Sequence, residues 1–247
     1  QTSLGIAKTV NQVSRGDRRY REDDPRQILQ GLLLGESRHL RIFDSIGSSA
    51  VGMLDRFDGR HLSNLIYSYG LVVYNPDIGG KTLFDVFAQA AMEENLHTFN
   101  PQGISNMLLA FIYVGAKNSR LFKQTGEMVS GMDLGDFTKQ ALANVLWSFA
   151  KSGETNPELF RVLADHIVRR NVDDFWPQDV SNIVWAYATA GELHTEMFNK
   201  IGDYVAGLGS LDPFKPQDFA NTAWAFATAG VSHPRIFRKI GNHVAGL

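Results

Sequence analysis

The residues with the clearest chemical pattern in this chain are carboxamides. Gln102, Gln140, Gln178 and Gln217 are each followed four residues later by Asn106, Asn144, Asn182 and Asn221, and Arg60 and Asn64 stand in the same relation further upstream. A carboxamide both donates and accepts hydrogen bonds, so a row of them can hold a neighbouring backbone, an extended peptide or the edge of a nucleobase. Four residues apart on a helix means one face, one turn along. Ser148 and Lys151, Ala186 and Thr189, and Ala225 and Thr228 extend the stripe. Two readings follow. The amides form a ladder that bonds to the backbone and turns of their own fold, or they face a ligand.

Acid–base, nucleophilic and metal chemistry show no comparable pattern. The sequence holds no HExxH, no GxSxG and no EF-hand loop. With no cysteine there is no disulfide framework, no thiolate nucleophile and no zinc site built on sulfur. The seven histidines (His39, His61, His97, His166, His194, His233, His243) form no i, i+4 metal pair, and His166 and His243 share one register position that reads as packing or rim. The adjacent pairs Asp23–Asp24 and Asp173–Asp174 point to different faces or cap helices. Leu71 to Tyr74, followed by Gly80, Lys81 and Thr82, imitates a strand entering a phosphate loop, but Asn75 stands where the first glycine is required. That stretch reads as a lengthened loop between helices. The expectation is a protein that is not an enzyme, has no cofactor or metal, and takes no small-molecule substrate.

The stripe belongs to a repeat. Segments of one pattern begin at Phe57, Phe99, Phe137, Phe175 and Phe214, spaced 42, 38, 38 and 39 residues apart, the last two reading FWPQDVSNIVWAYATAG and FKPQDFANTAWAFATAG. A second segment follows 23 residues after the leading Phe, as at Phe122, Phe160, Phe198 and Phe237. Apolar residues at offsets 5, 9, 10, 12 and 13 (Phe219, Ala223, Trp224, Phe226, Ala227) have helical spacing. Pro177 and Pro216 fit a first helical turn, and Gly153, Gly191 and Gly230 fit a helix end that needs positive φ. Two helices per unit cannot close a core alone, whereas stacked units can. The predicted fold is all-α: an α-solenoid of about five to six stacked helical hairpins with a period of about 38 residues. Residues 1–19 form a basic arm, 20–56 a degenerate first unit and 57–247 five hairpin repeats in a single solenoid domain. The extra residues of the 42-residue spacing fall in the loop after position 73. The recurring Trp147, Trp185 and Trp224, with Tyr67 and Leu109 at the same offset, read as core between stacked hairpins.

Charge narrows the partner without naming it. Lys and Arg total 24 against 26 Asp and Glu, a net charge of −2, which argues against a strong sequence-independent grip on nucleic acid. Residues 1–41 carry eight basic side chains and five acids, a balance of +3, leaving −5 for the rest. The Arg15 to Arg26 cluster reads as a solvated terminus, with a phosphate-contacting or partner-docking arm as the other reading. No apolar run approaches the roughly 20 residues that cross a bilayer, so no membrane insertion is expected.

The unit F-x-P-Q-D-x-x-N-x-x-W-A-[FY]-A-[TK]-x-G resembles the octotricopeptide repeat and the related heptatricopeptide and FAST-kinase-like repeats, closely over 57–247 and distantly over 18–56. The best matches are 137–153, 175–191 and 214–230; the two preceding units lack Trp. The resemblance implies a single-stranded RNA binder of mitochondria or plastids, acting in RNA processing, stability or translation. The candidate RNA-binding residues are Asn106, Gln140, Asn144, Ser148, Lys151, Gln178, Asp179, Asn182, Gln217, Asp218 and Asn221. Side chains identical in every unit cannot tell bases apart, so discrimination falls to variable offsets, where Asp179 and Asp218 can hydrogen-bond. The second expectation is a protein-interaction scaffold or a structural subunit of an organelle ribosome or other large assembly. Gln1 is not an initiator, so the chain reads as part of a longer protein.

Overall fold

A computed structural model describes residues 37–93, 96–173 and 175–246. The basic arm, residues 20–36 of the degenerate unit, and Asp23, Asp24 and Asp174 lie outside the described residues. The rest is all-α, as expected, in helices α1 (Ser37–Val51), α2 (Gly59–Leu71), α3 (Leu83–Glu93), α4 (Pro101–Tyr113), α5 (Ser119–Ser130), α6 (Lys139–Ser152), α7 (Pro157–Arg169), α8 (Pro177–Ala190), α9 (Thr195–Gly207), α10 (Pro216–Thr228) and α11 (Pro234–Ala245). The chain divides into two compact units, one ending at Leu121 and the other beginning at Phe122.

In the first unit α2 packs against α4 and α3. The α2–α4 contact is close because Gly70 has no side chain: a Cβ there would lie 2.5 Å from the Ala110 Cα. The extra residues form a two-stranded antiparallel hairpin, β1 (Asp77–Ile78) and β2 (Lys81–Thr82), where a plain loop was expected. Gly79 (φ 67°) and Gly80 (φ 87°) supply the two positive φ values of a tight hairpin turn, so the glycines before Lys81 serve a turn and not a phosphate.

In the second unit the first helices α6, α8 and α10 pack in series, and so do the second helices α7, α9 and α11. Pro177 and Pro216 open their helices, and Gly153 (φ 74°) and Gly191 (φ 71°) end theirs in the left-handed conformation, as the pattern predicts.

Both units repeat one joint. The Phe of each second helix meets, edge to face, the aromatic at offset 12 of the next first helix: Phe43–Tyr69, Phe84–Phe111, Phe122–Phe149, Phe160–Tyr187 and Phe198–Phe226, at 4.9 to 5.3 Å. Such pairs contribute about 0.5–1.5 kcal/mol each beyond the burial of their area. Where the offset-12 ring is tyrosine, its hydroxyl donates to the backbone carbonyl of that Phe: Tyr69 to Phe43 at 2.5 Å and Tyr187 to Phe160 at 2.6 Å. Burial pushes the Tyr187 phenol well above its usual range, and nearby Asp165 and Glu192 add to the shift.

Candidate nucleic-acid interface

Three first helices present one equivalent face. About 100° separates successive residues on a helix, so offset 10 lies only about 20° from the Gln position at offset 3, whereas offset 11 lies about 80° away. The stripe therefore runs Gln140, Asn144, Trp147, Lys151 on α6; Gln178, Asn182, Trp185, Thr189 on α8; and Gln217, Asn221, Trp224, Thr228 on α10. The glutamines, Lys151, Thr189 and Thr228 are exposed, and the asparagines half-buried. Among the described residues, no hydrogen bond holds the carboxamides of Asn144, Asn182 or Asn221.

This geometry corrects the expectation that the tryptophans fill the core. Trp147 and Trp185 are half-buried and Trp224 is 46% exposed, while the core is built from offsets such as 8 and 12 (Val145, Phe149, Ile183, Tyr187). The Trp185 and Trp224 rings lie 6.4 Å apart and 32° from parallel. The Lys151 ammonium sits 5.0 Å from the Trp185 ring centre and 5.8 Å from that of Trp147. Aromatic faces and a cation thus follow one another across α6, α8 and α10.

Four expected site residues stand elsewhere. Ser148, at offset 11, is fully buried and its hydroxyl has no hydrogen-bond partner among the described residues. Asp179 and Asp218, the expected discriminators, are buried at the third position of α8 and α10. Asp218 accepts from the Lys215 backbone N–H at 3.0 Å and from the Ser181 hydroxyl of α8 at 3.0 Å, so it caps its helix and ties it to its neighbour. Asn106, in the first unit, is 9% exposed beside the buried Leu109.

The histidines have a use that spacing did not disclose. His194 and His233 cap α9 and α11, each Nδ1 accepting a backbone N–H, from Met197 and Ile236. Each Nε2 faces a carboxylate of the preceding second helix: Asp165 at 3.1 Å and Asp203 at 3.3 Å. Since Nδ1 accepts, Nε2 carries the proton in these joints. Asn156 and Asn118 cap α7 and α5 from the equivalent position. Among the described residues no cluster of His, Asp and Glu could hold a metal ion, and no helix is long and apolar enough to cross a membrane.

A comparison with curated proteins gives no match. A comparison with protein families does, and the matching family is not the octotricopeptide or FAST-kinase-like one that the repeat resembles, although it shares the broader character of a helical protein of RNA metabolism. Its model, described as RNA-editing substrate-binding complex 6 protein, covers residues 27–245 and so takes in every helix from α1 to α11; the chain belongs to that family.

Proposed function

We propose that this protein holds single-stranded RNA as a subunit of an RNA-editing substrate-binding complex, with the face of α6, α8 and α10 as the contact surface. The observation that carries the reading is the row of Trp147, Lys151, Trp185 and Trp224, partly open to solvent on successive helices. Indoles offer stacking faces worth about 1–3 kcal/mol per base with little sequence preference, and single strands expose their bases for it. Lys151 supplies a phosphate contact. Asn144, Asn182 and Asn221, with no hydrogen-bond partner for their carboxamides among the described residues, are placed to bond base edges or sugars beside the indoles. The proposed residues are therefore Gln140, Asn144, Trp147, Lys151, Gln178, Asn182, Trp185, Gln217, Asn221 and Trp224. The reading includes no catalytic step.

With one cation in the row, binding depends modestly on salt, since the slope counts neutralised phosphates at about 0.7 per contact on single strands. A mitochondrial location fits this reading better than a plastid one, and an RNA-editing assembly is the setting we propose in place of a ribosome. Titrating labelled single-stranded RNA into the protein and into its Lys151→Ala and Asn182→Ala variants tests the reading. Lys151→Ala should weaken all sequences alike, and Asn182→Ala should weaken binding without lowering the melting temperature. Unchanged affinity in both variants would remove this face from RNA binding.

A further inference from the structure

The indoles of the stripe define two gaps between neighbouring first helices, and the two gaps differ. Between α6 and α8 the Lys151 ammonium lies over both flanking rings, 5.8 Å from the centre of Trp147 and 5.0 Å from that of Trp185. That gap is taken by a cation of the chain itself. Between α8 and α10 the rings of Trp185 and Trp224 lie with their centres 6.4 Å apart and their planes 32° from parallel. The residue of α8 that corresponds to Lys151 is Thr189, which is short, uncharged and exposed.

The dimensions of the second gap suit one flat base. Stacked bases lie about 3.4 Å apart, so a base with an aromatic ring on each face needs about 7 Å between the ring centres. Small turns of the Trp185 and Trp224 side chains supply the difference. An indole is a pair of fused rings, so a purine covers it more fully than a pyrimidine and gains more from stacking. The edge chemistry narrows the choice further. Asn182 and Asn221 stand three residues before these indoles, one turn back on the same face, with no hydrogen bond to their carboxamides among the described residues. A carboxamide sets a donor beside an acceptor. Adenine answers with its N6 amino group beside N7, whereas guanine offers the two acceptors O6 and N7 and is met by Arg or Lys. At offset 14 both α8 and α10 carry threonine, Thr189 and Thr228, and the lysine stands on α6.

We propose that the gap between Trp185 and Trp224 is a slot for a single adenine of the bound strand. The base stacks between the two indoles with its N6 and N7 edge on the carboxamide of Asn182 or Asn221, and Lys151, held over the neighbouring gap, takes a flanking phosphate. The proposal rests on the RNA reading above and adds to it a base preference and the place where that preference arises. The recurring asparagine gives every unit the same edge chemistry. The side chain at offset 14, which differs between α6 and α8, decides which gap is left for a base.

Fluorescence anisotropy with labelled oligouridylates that carry one central adenosine, guanosine or cytidine reads the preference. The adenosine oligomer should bind roughly tenfold more tightly than either of the others, the discrimination that a bidentate contact to a base edge provides. Thr189→Lys, at an exposed position, brings a cation to this gap as Lys151 does to the other, and should bring adenosine and guanosine within about twofold of each other. The paired variant Asn182→Ala, Asn221→Ala should lose the preference as well, by removing the edge contact. Lys151→Ala should weaken all three oligomers and keep it. Melting curves establish that each variant is folded. Equal binding of the three oligomers, or an adenosine preference that survives both Thr189→Lys and the paired asparagine variant, would overturn the slot and leave the RNA-binding face standing. Binding of none of the oligomers at micromolar protein would overturn the RNA reading and the slot with it.

Discussion

Trp185 and Tyr187 stand two residues apart on α8 and separate binding from stability. Tyr187 is buried, packed on Phe160 and hydrogen-bonded to its carbonyl, so Tyr187→Ala should cost about 3–5 kcal/mol of stability, measured by denaturant unfolding. Trp185 is half-buried on the stripe, so Trp185→Ala should cost only about 1–2 kcal/mol while weakening RNA binding by about 1–3 kcal/mol. Repetition alone did not separate the two, because a large aromatic recurring at one offset usually marks a core. The helical angle does: offset 10 shares the carboxamide face and offset 12 does not. His166 gives a residue-scale prediction in pH. Burial, with Arg170 and Arg169 adding to it and Asp133 opposing, holds its imidazole below the usual value of 6.5. The folded state therefore resists the proton that the unfolded chain accepts, so the stability tied to this group is complete above about 6.5 and falls as the pH drops through it. His166→Gln should flatten that part of the acid loss in melting curves recorded across this range.

At the scale of elements, capping explains residues that looked like recognition. Asp218, at the third position of α10, bonds back to the Lys215 N–H at its helix N-terminus, and its other oxygen holds Ser181 on the neighbouring helix. Asp218→Ala should lower stability by about 1–2 kcal/mol and leave base preference unchanged; a relaxed preference at unchanged stability would return it to the recognition surface. Helix starts at Pro177 and Pro216 and ends at Gly153 and Gly191 were legible because those residues constrain φ locally. The β1–β2 hairpin was not, since strands of two residues carry no alternation to read and only the Gly79–Gly80 turn marks them. The pairing of the capping histidines was equally hidden, because His194 and His233 turn their other ring nitrogen to Asp165 and Asp203, about 30 residues away in sequence.

For the whole molecule, the period of the repeat carried the fold class, because a unit that cannot bury its own apolar face must stack on another. The period could not say which face of each first helix stays open, since that depends on how neighbouring helices cross. The central claim is that the open face of α6, α8 and α10 holds single-stranded RNA by stacking on its indoles. The most direct measurement is the affinity of the protein for labelled single-stranded RNA, compared with that of a Trp185→Ala, Trp224→Ala double variant whose folding is verified by its melting curve. Two lost stacking contacts at about 1–3 kcal/mol each predict a fall of at least about tenfold, with the variant still cooperatively folded. Equal affinity for RNA in the folded double variant would contradict the account.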